Sequence, residues 1–182
     1  MTASASLTTA GGLLRLPRGK QRHELVLGRL VTKPLRVMWD GAIASNLSFR
    51  IGEYVKSHDL GEVFAAGTGF HIHHNPDTVY GPALGFIARK RLSAEDVPVG
   101  YLEMAPDLVA EVVSPSDIAA EVQAKVEGWL EAGVKLVWVV YPETRSVAVY
   151  RSLEEVSVLR ERDTLTGEPA LPGFQCVVRE LF

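Results

Sequence analysis

Residues 134–142, VKLVWVVYP, are apolar at nearly every position. A strand with one wet face alternates apolar and polar residues, so a run without alternation is a strand covered on both sides. Upstream, Leu108–Val113 in PDLVAEVVSPSD (106–117) is a second apolar strand, broken by Ser114-Pro115-Ser116. Between them lies a helical stretch, Ile118–Ala132, with Val122, Val126, Trp129 and Leu130 as its apolar members. Ser116 or Asp117 can cap it, and Gly133 ends it. Strand, helix and strand in this order imply a right-handed parallel crossover. The chain therefore needs layers on both sides of a sheet.

The remaining segments supply those layers. Residues 23–32, HELVLGRLVT, read as a β-hairpin turning at Gly28, and Pro34 forces an extended link. Residues 38–58 read as a helix, with Asp40 as N-cap and Ile43, Leu47, Ile51 and Val55 repeating every four residues along one buried face. Short strands follow at Glu62–Ala65, Gly69–His74 and Val79–Ala88, then a polar stretch from Arg89 to Gly100. After Tyr141, the turn Glu143-Thr144-Arg145 leads into SVAVYR as a hairpin partner, VSVLRE (156–161) is a further strand, and LPGFQCVVRELF closes with a turn and a short strand. The expected fold is α/β (α+β): a mixed central sheet flanked by helices, with added antiparallel hairpins.

Length and charge set bounds. The 182 residues suit one domain with a sizeable core, over 13–182, preceded by an arm-like or disordered tail at 1–12. A single cysteine, Cys176, leaves no internal disulfide and no cysteine-based zinc site, which suits a reducing cytoplasm. No apolar run approaches the roughly 20 residues of a membrane span, and no signal peptide is read at the start. The net charge of −3 gives no overall attraction to nucleic acid, although a basic patch acts through its distribution.

Glu111 is the anomaly. Residues 109, 111 and 113 share one strand face, and Val109 and Val113 are apolar. A carboxylate there needs a metal, a lysine or a wet cavity, because an unpaired buried charge is costly. Lys125, one turn after Glu121 and one turn before Trp129, can supply the amine; the plainer reading is a Glu121–Lys125 pair on the helix surface. Two carboxylates beside a lysine could hold Mg²⁺ or Mn²⁺ against a phosphodiester.

HELVLGRL, LGEVFAAGTGF, APDLVAEVVSPSD, AGVKLVWVVYPETRSVAVY and LPGFQCVVRELF together resemble the Uma2 (DUF820) family, from about His23 to Phe182. The resemblance implies a restriction-endonuclease-like PD-(D/E)xK fold and a metal-dependent DNA endonuclease using Mg²⁺ or Mn²⁺, with DNA as partner and a homodimer as the working unit. It places the family's strand glutamate on Glu111, its helix-borne lysine on Lys125 and its early glutamate on Glu24, so that Glu24 and Glu111 would hold the metal and all three would act in catalysis. The family segment R-x-P-D-V-A-F-V falls on Tyr80–Ile87, where Ala83 stands for the first metal-binding aspartate and Tyr80 for the arginine. That loss implies weakened or lost hydrolysis; the alternative is an inactive nuclease-fold protein with a DNA-binding or protein-partner role.

Other acids do not replace Ala83 easily. Asp107 lies about 13 Å from Glu111 along an extended strand, too far for one ion. Asp77 would need a loop to fold back. His71 and His73 share a strand face, with His74 and Asp77 nearby, and imidazole suits zinc. Spacing alone supplies no third ligand, and an exposed face with a polar turn at Asn75-Pro76-Asp77 is the simpler reading. Arg89-Lys90-Arg91 could touch phosphates or be a solvated loop, and Arg15, Arg18, Lys20 and Arg22 could form a clamp. Trp129, Trp138 and Tyr141 read as core or dimer packing.

Overall fold

The apolar run at 134–142 lies at the centre of a six-stranded sheet. The computed structural model describes residues 7–17, 19, 21–34, 38–92 and 100–182. In chain order the elements are α1 (Ala10–Leu14), β1 (Gln21–Val26), β2 (Arg29–Pro34), α2 (Met38–Ser57), β3 (Gly61–Ala65), β4 (Phe70–His73), β5 (Thr78–Tyr80), β6 (Leu84–Ala88), β7 (Leu108–Val112), α3 (Ala119–Glu131), β8 (Leu136–Tyr141), β9 (Ser146–Tyr150), β10 (Val156–Leu159), β11 (Thr164–Thr166) and β12 (Gln175–Val177). The large sheet runs β10-β9-β8-β7-β6-β3. β7 and β8 pair in parallel, Glu111 level with Val139, and every other neighbour in that sheet is antiparallel.

Both faces of β8 are dry because each meets a different cluster. Val137 and Val139 pack with Val126 and Trp129 of α3. Leu136, Trp138 and Val140 pack with Ile43, Leu47 and Ile51 of α2 and with the C-terminal Leu171, Phe174 and Leu181. The mixed sheet is therefore sandwiched between helices, as the expected fold class requires. Among the described residues, no helix is long and apolar enough to cross a membrane.

A second, four-stranded sheet runs β2-β1-β5-β4. Its β1–β2 hairpin turns at Leu27-Gly28, both with positive φ (49° and 74°), a backbone that suits the twist of a two-residue hairpin loop. Val79–Ala88, expected as one strand, is two. β5 belongs to the small sheet and β6 to the large one, with the break at Gly81-Pro82-Ala83. Pro82 has no N–H to give a ladder, so the chain can leave one sheet there and enter the other.

Helix caps also differ from expectation. α2 begins at Met38, so Asp40 lies inside its first turn, buried, with Oδ2 unpartnered among the described residues. α3 is preceded by Ile118, which gives no side-chain cap. Asp117 instead accepts from Ser114 N–H at 2.9 Å and from Lys33 Nζ at 2.7 Å. Of the expected tail, residues 1–6 lie outside the described residues. Thr8 N–H donates to Gly28 O and Ala10 N–H to Asp77 Oδ2, each at 2.7 Å, which lays α1 along the small sheet.

Asp107 ties three strands together. It is fully buried at the start of β7, accepts from Ala88 N–H at 2.9 Å, and pairs with Lys135 at 2.7 Å and Arg91 at 3.1 Å. Burial pushes its pKa up, but the Ala88 N–H, Lys135 and Arg91 outweigh that and hold it below the ordinary 3.8. A carboxyl with a depressed folded pKa stabilises above its unfolded value and loses that contribution as pH falls through the folded one. Asp107→Asn should therefore cost about 2 kcal/mol near pH 7, less than a fully buried pair because both cations are partly exposed. Urea midpoints of variant and wild type should converge as the pH drops below 3.8; a gap independent of pH would contradict this assignment.

Candidate active site

Glu111 sits in β7 on the face covered by α3, and it is buried. Lys125 and Trp129 are one helical turn apart on α3, so both side chains reach the same spot on the sheet. Trp129 Nε1–H donates to Glu111 Oε1 at 3.0 Å, and Lys125 Nζ lies 2.9 Å from the same oxygen. The third member comes from the small sheet: Glu24 of β1 accepts from Lys125 Nζ at 2.7 Å and from Gly81 N–H at 2.8 Å, both at Oε1. The break between β5 and β6 thus helps hold Glu24. Tyr80 forms a wall, its ring centroid 5.5 Å from Lys125 Nζ and its ring against that of Trp129. A Cβ on Gly128 would come 2.8 Å from the Tyr80 hydroxyl, so the small residue admits the tyrosine.

A carboxylate can therefore occupy this dry strand because an indole and an ammonium satisfy it. Burial alone would push the pKa of Lys125 down. The charges of Glu111 and Glu24, with their hydrogen bonds, outweigh that and hold it above the ordinary 10.5. The lysine is positive at neutral pH. Burial also pushes the Tyr80 hydroxyl up, partly offset by Lys125, so Tyr80 is neutral.

Glu24 lies where clefts meet. A cleft of about 480 Å³ is lined by Arg22, Glu24, Thr68, Gly81 and Pro82. Another, of about 580 Å³, is lined by Glu24, Val31, Lys33, Tyr80 and Lys125. Lys33 is paired with Asp117 at 2.7 Å and Glu121 at 3.3 Å, so Glu121 pairs with Lys33 and Lys125 turns inward. Among the described residues, the Oε2 atoms of Glu24 and Glu111 accept no hydrogen bond. These oxygens are the donors left for a hard cation.

The other predicted residues lie elsewhere. Ala83 is fully buried, its N–H donating to Ala110 O at 3.0 Å beside the β6–β7 pairing, so no carboxylate is present there. Asp107 is occupied by Lys135 and Arg91. Asp77 is engaged with His71 and Ala10. Arg89 and Arg91 pair with Asp59 and Asp107 at the end of β6 remote from Ala83. The expected exposed histidine face holds for His73 but not for His71, which is 7% exposed; the β4–β5 register shifts between them. His71, His74 and Asp77 form a group able to coordinate a metal ion. Trp129, which reads from the sequence as core or dimer packing, and Tyr80, which reads as the residue in the family arginine's place, both line the candidate site. The signal available for Trp129 was its place one turn beyond Lys125.

Residues 12–179 match the family model Uma2, described as "Putative restriction endonuclease". Among solved structures, the chain is similar to a protein from Anabaena variabilis ATCC 29413 described as "a putative nuclease belonging to DUF820". The TM-score is 0.80 at 21% identity, covering 96% of this chain and 97% of the other. No curated protein sequence matches.

Removing the shared cation should expose its role. Lys125→Met leaves two adjacent carboxylates without a counter-charge and should cost about 3–5 kcal/mol in urea unfolding near pH 7. Adding Glu24→Gln and Glu111→Gln should recover at least about 1.5 kcal/mol of that loss. Because the folded pKa of Lys125 is raised, its stabilisation is complete below the ordinary 10.5 and is lost as pH rises through the folded value. Absence of recovery in the triple variant would mean that the three side chains do not act as a unit.

Proposed function

The chain belongs to the Uma2 family, and from that premise we propose that Glu24, Glu111 and Lys125 form a divalent-metal-dependent phosphodiesterase centre for DNA, weakened because Ala83 stands in place of an acidic ligand. The observation that carries this reading is the convergence of two carboxylates, one from each sheet, on one ammonium beside open clefts. The free Oε2 atoms of Glu24 and Glu111 would hold Mg²⁺ or Mn²⁺. The donor set fits a hard cation, but two carboxylate oxygens are few for one that prefers six ligands, so water would complete the shell. When bound, such an ion acts as a Lewis acid on a phosphodiester and lowers the pKa of a bound water.

The chain's own groups have separate tasks. Lys125 balances one of the two carboxylates and, at the cleft, can neutralise charge that develops on the phosphate. The Trp129 N–H fixes the orientation of Glu111. The Gly81 N–H does the same for Glu24. Arg22, lining the cleft beside Glu24, can contact a phosphate. A homodimer would present two such centres, as cutting both strands requires.

One observation favours a second reading, a catalytically inactive nuclease fold that retains a DNA-binding or protein-partner role. Lys125 already satisfies both carboxylates, which lowers their demand for a cation.

Nicking of supercoiled DNA separates the two. With Mn²⁺ or Mg²⁺ the wild type should nick slowly, Glu111→Gln should not nick, and Ala83→Asp should raise both the rate and the calorimetric Mn²⁺ affinity at least about tenfold. Folding of each variant is checked by circular dichroism. Absence of cleavage by wild type and by folded Ala83→Asp would leave the second reading.

A further inference from the structure

Strand β4 and the turn that leads from it to β5 carry a second constellation, on different elements from Glu24, Glu111 and Lys125. One ligand atom each of His71, His74 and Asp77 lies within 4.8 Å of the other two. His71 is buried, and among the described residues its Nε2 has no hydrogen-bond partner. That nitrogen points at Asp77 Oδ1 across 3.4 Å. The His74 ring lies against the His71 ring, centroids 4.0 Å apart, and is exposed on its other side.

The separation is informative. At 3.4 Å the His71–Asp77 contact is long for a charge-assisted hydrogen bond, which closes to about 2.7–2.9 Å. It matches the edge of a zinc tetrahedron: bonds of about 2.0–2.1 Å place two ligand atoms about 3.3 Å apart. Two imidazoles and one carboxylate are a donor set for Zn²⁺ and its neighbours, whereas Mg²⁺ and Mn²⁺ prefer all-oxygen shells. The carboxylate is also oriented from behind. Asp77 Oδ2 accepts the Ala10 N–H at 2.7 Å, and this bond above all keeps its pKa below the ordinary 3.8.

We infer that His71, His74 and Asp77 bind one Zn²⁺-class transition-metal ion, with water in the fourth position, and that the ion fastens the N-terminal helix to the small sheet through Asp77. Asp77 bridges the two halves of this clamp. Oδ1 faces the ion, Oδ2 holds Ala10 at the start of α1, and its backbone oxygen accepts the Gly28 N–H at 2.7 Å. The site is independent of the proposed phosphodiesterase centre and of its success or failure.

Metal-stripped full-length protein should bind one Zn²⁺ per chain in competition with a chromophoric chelator. Co²⁺ at the same site should give the visible absorption of a four-coordinate ion with nitrogen ligands. His74→Ala, whose ring is at the surface and whose loss spares the core, should weaken Zn²⁺ at least about tenfold, as should Asp77→Asn. Glu111→Gln should bind Zn²⁺ as wild type does, which separates this site from the other acids. Zn²⁺ should raise the melting temperature of wild type and of Glu111→Gln more than that of His74→Ala, and should slow tryptic cleavage after Arg15 at the end of α1. Failure to bind Zn²⁺, unchanged binding in His74→Ala, or loss of binding in Glu111→Gln would overturn the assignment. Zn²⁺ binding without slower cleavage at Arg15 would overturn the clamp.

Discussion

The ammonium of Lys125 joins parts of the chain that have little else in common. Glu24 belongs to the small sheet, Glu111 to the centre of the large one, and Lys125 to the helix that crosses between β7 and β8. Without that cation, two buried carboxylates would face one another, and Glu111 would lie against Val109 and Val139 with only an indole N–H for company. The electrostatic requirement thus positions α3 on the sheet and the small sheet against α3. The same contact makes the site chemically ambiguous. A lysine between two acids is a component of a metal-dependent phosphodiesterase, and it is also a sufficient counter-ion when no metal is bound.

The backbone break at Gly81-Pro82-Ala83 has comparable reach. It lets one segment contribute β5 to the small sheet and β6 to the large one. It also offers the Gly81 N–H to Glu24 and puts Ala83 beside the β6–β7 pairing. Ala83 therefore sits at the joint between the two sheets, packed in the cluster that includes Ile43 and Leu47 of α2. The methyl group of Ala83 fits that joint without a buried charge.

Periodicity served well where burial was uniform. The four-residue stripe Ile43, Leu47, Ile51 and Val55 marked α2, and the unalternating 134–142 run marked a central strand, because in both cases neighbours in sequence share the same fate. It failed where one segment serves two sheets, as at Val79–Ala88, and where a strand is only three residues long, as at β11. Asp40 and Asp117 were legible as polar residues near helix starts. What they bind depends on groups distant in the chain, such as Lys33, 84 residues away from Asp117. Strict alternation puts His71 on an exposed face with His73; the register shift between them accompanies a buried His71 ring.

From the sequence alone came the layered mixed fold, the anomaly of Glu111 and the candidacy of Lys125, which follow from local rules: periodicity and the high cost of an unpaired buried charge. The candidacy of Glu24 and the expectation of an acid at position 83 came from the family resemblance. Only the tertiary structure decided that Lys125 pairs with Glu24 and Glu111 and not with Glu121, that Trp129 is a donor as well as core, and that His71 and His74 meet Asp77 in a metal-sized group. The physical reason is that a charged side chain selects its partner by distance and desolvation, and both are set by the packing of elements far apart in the chain.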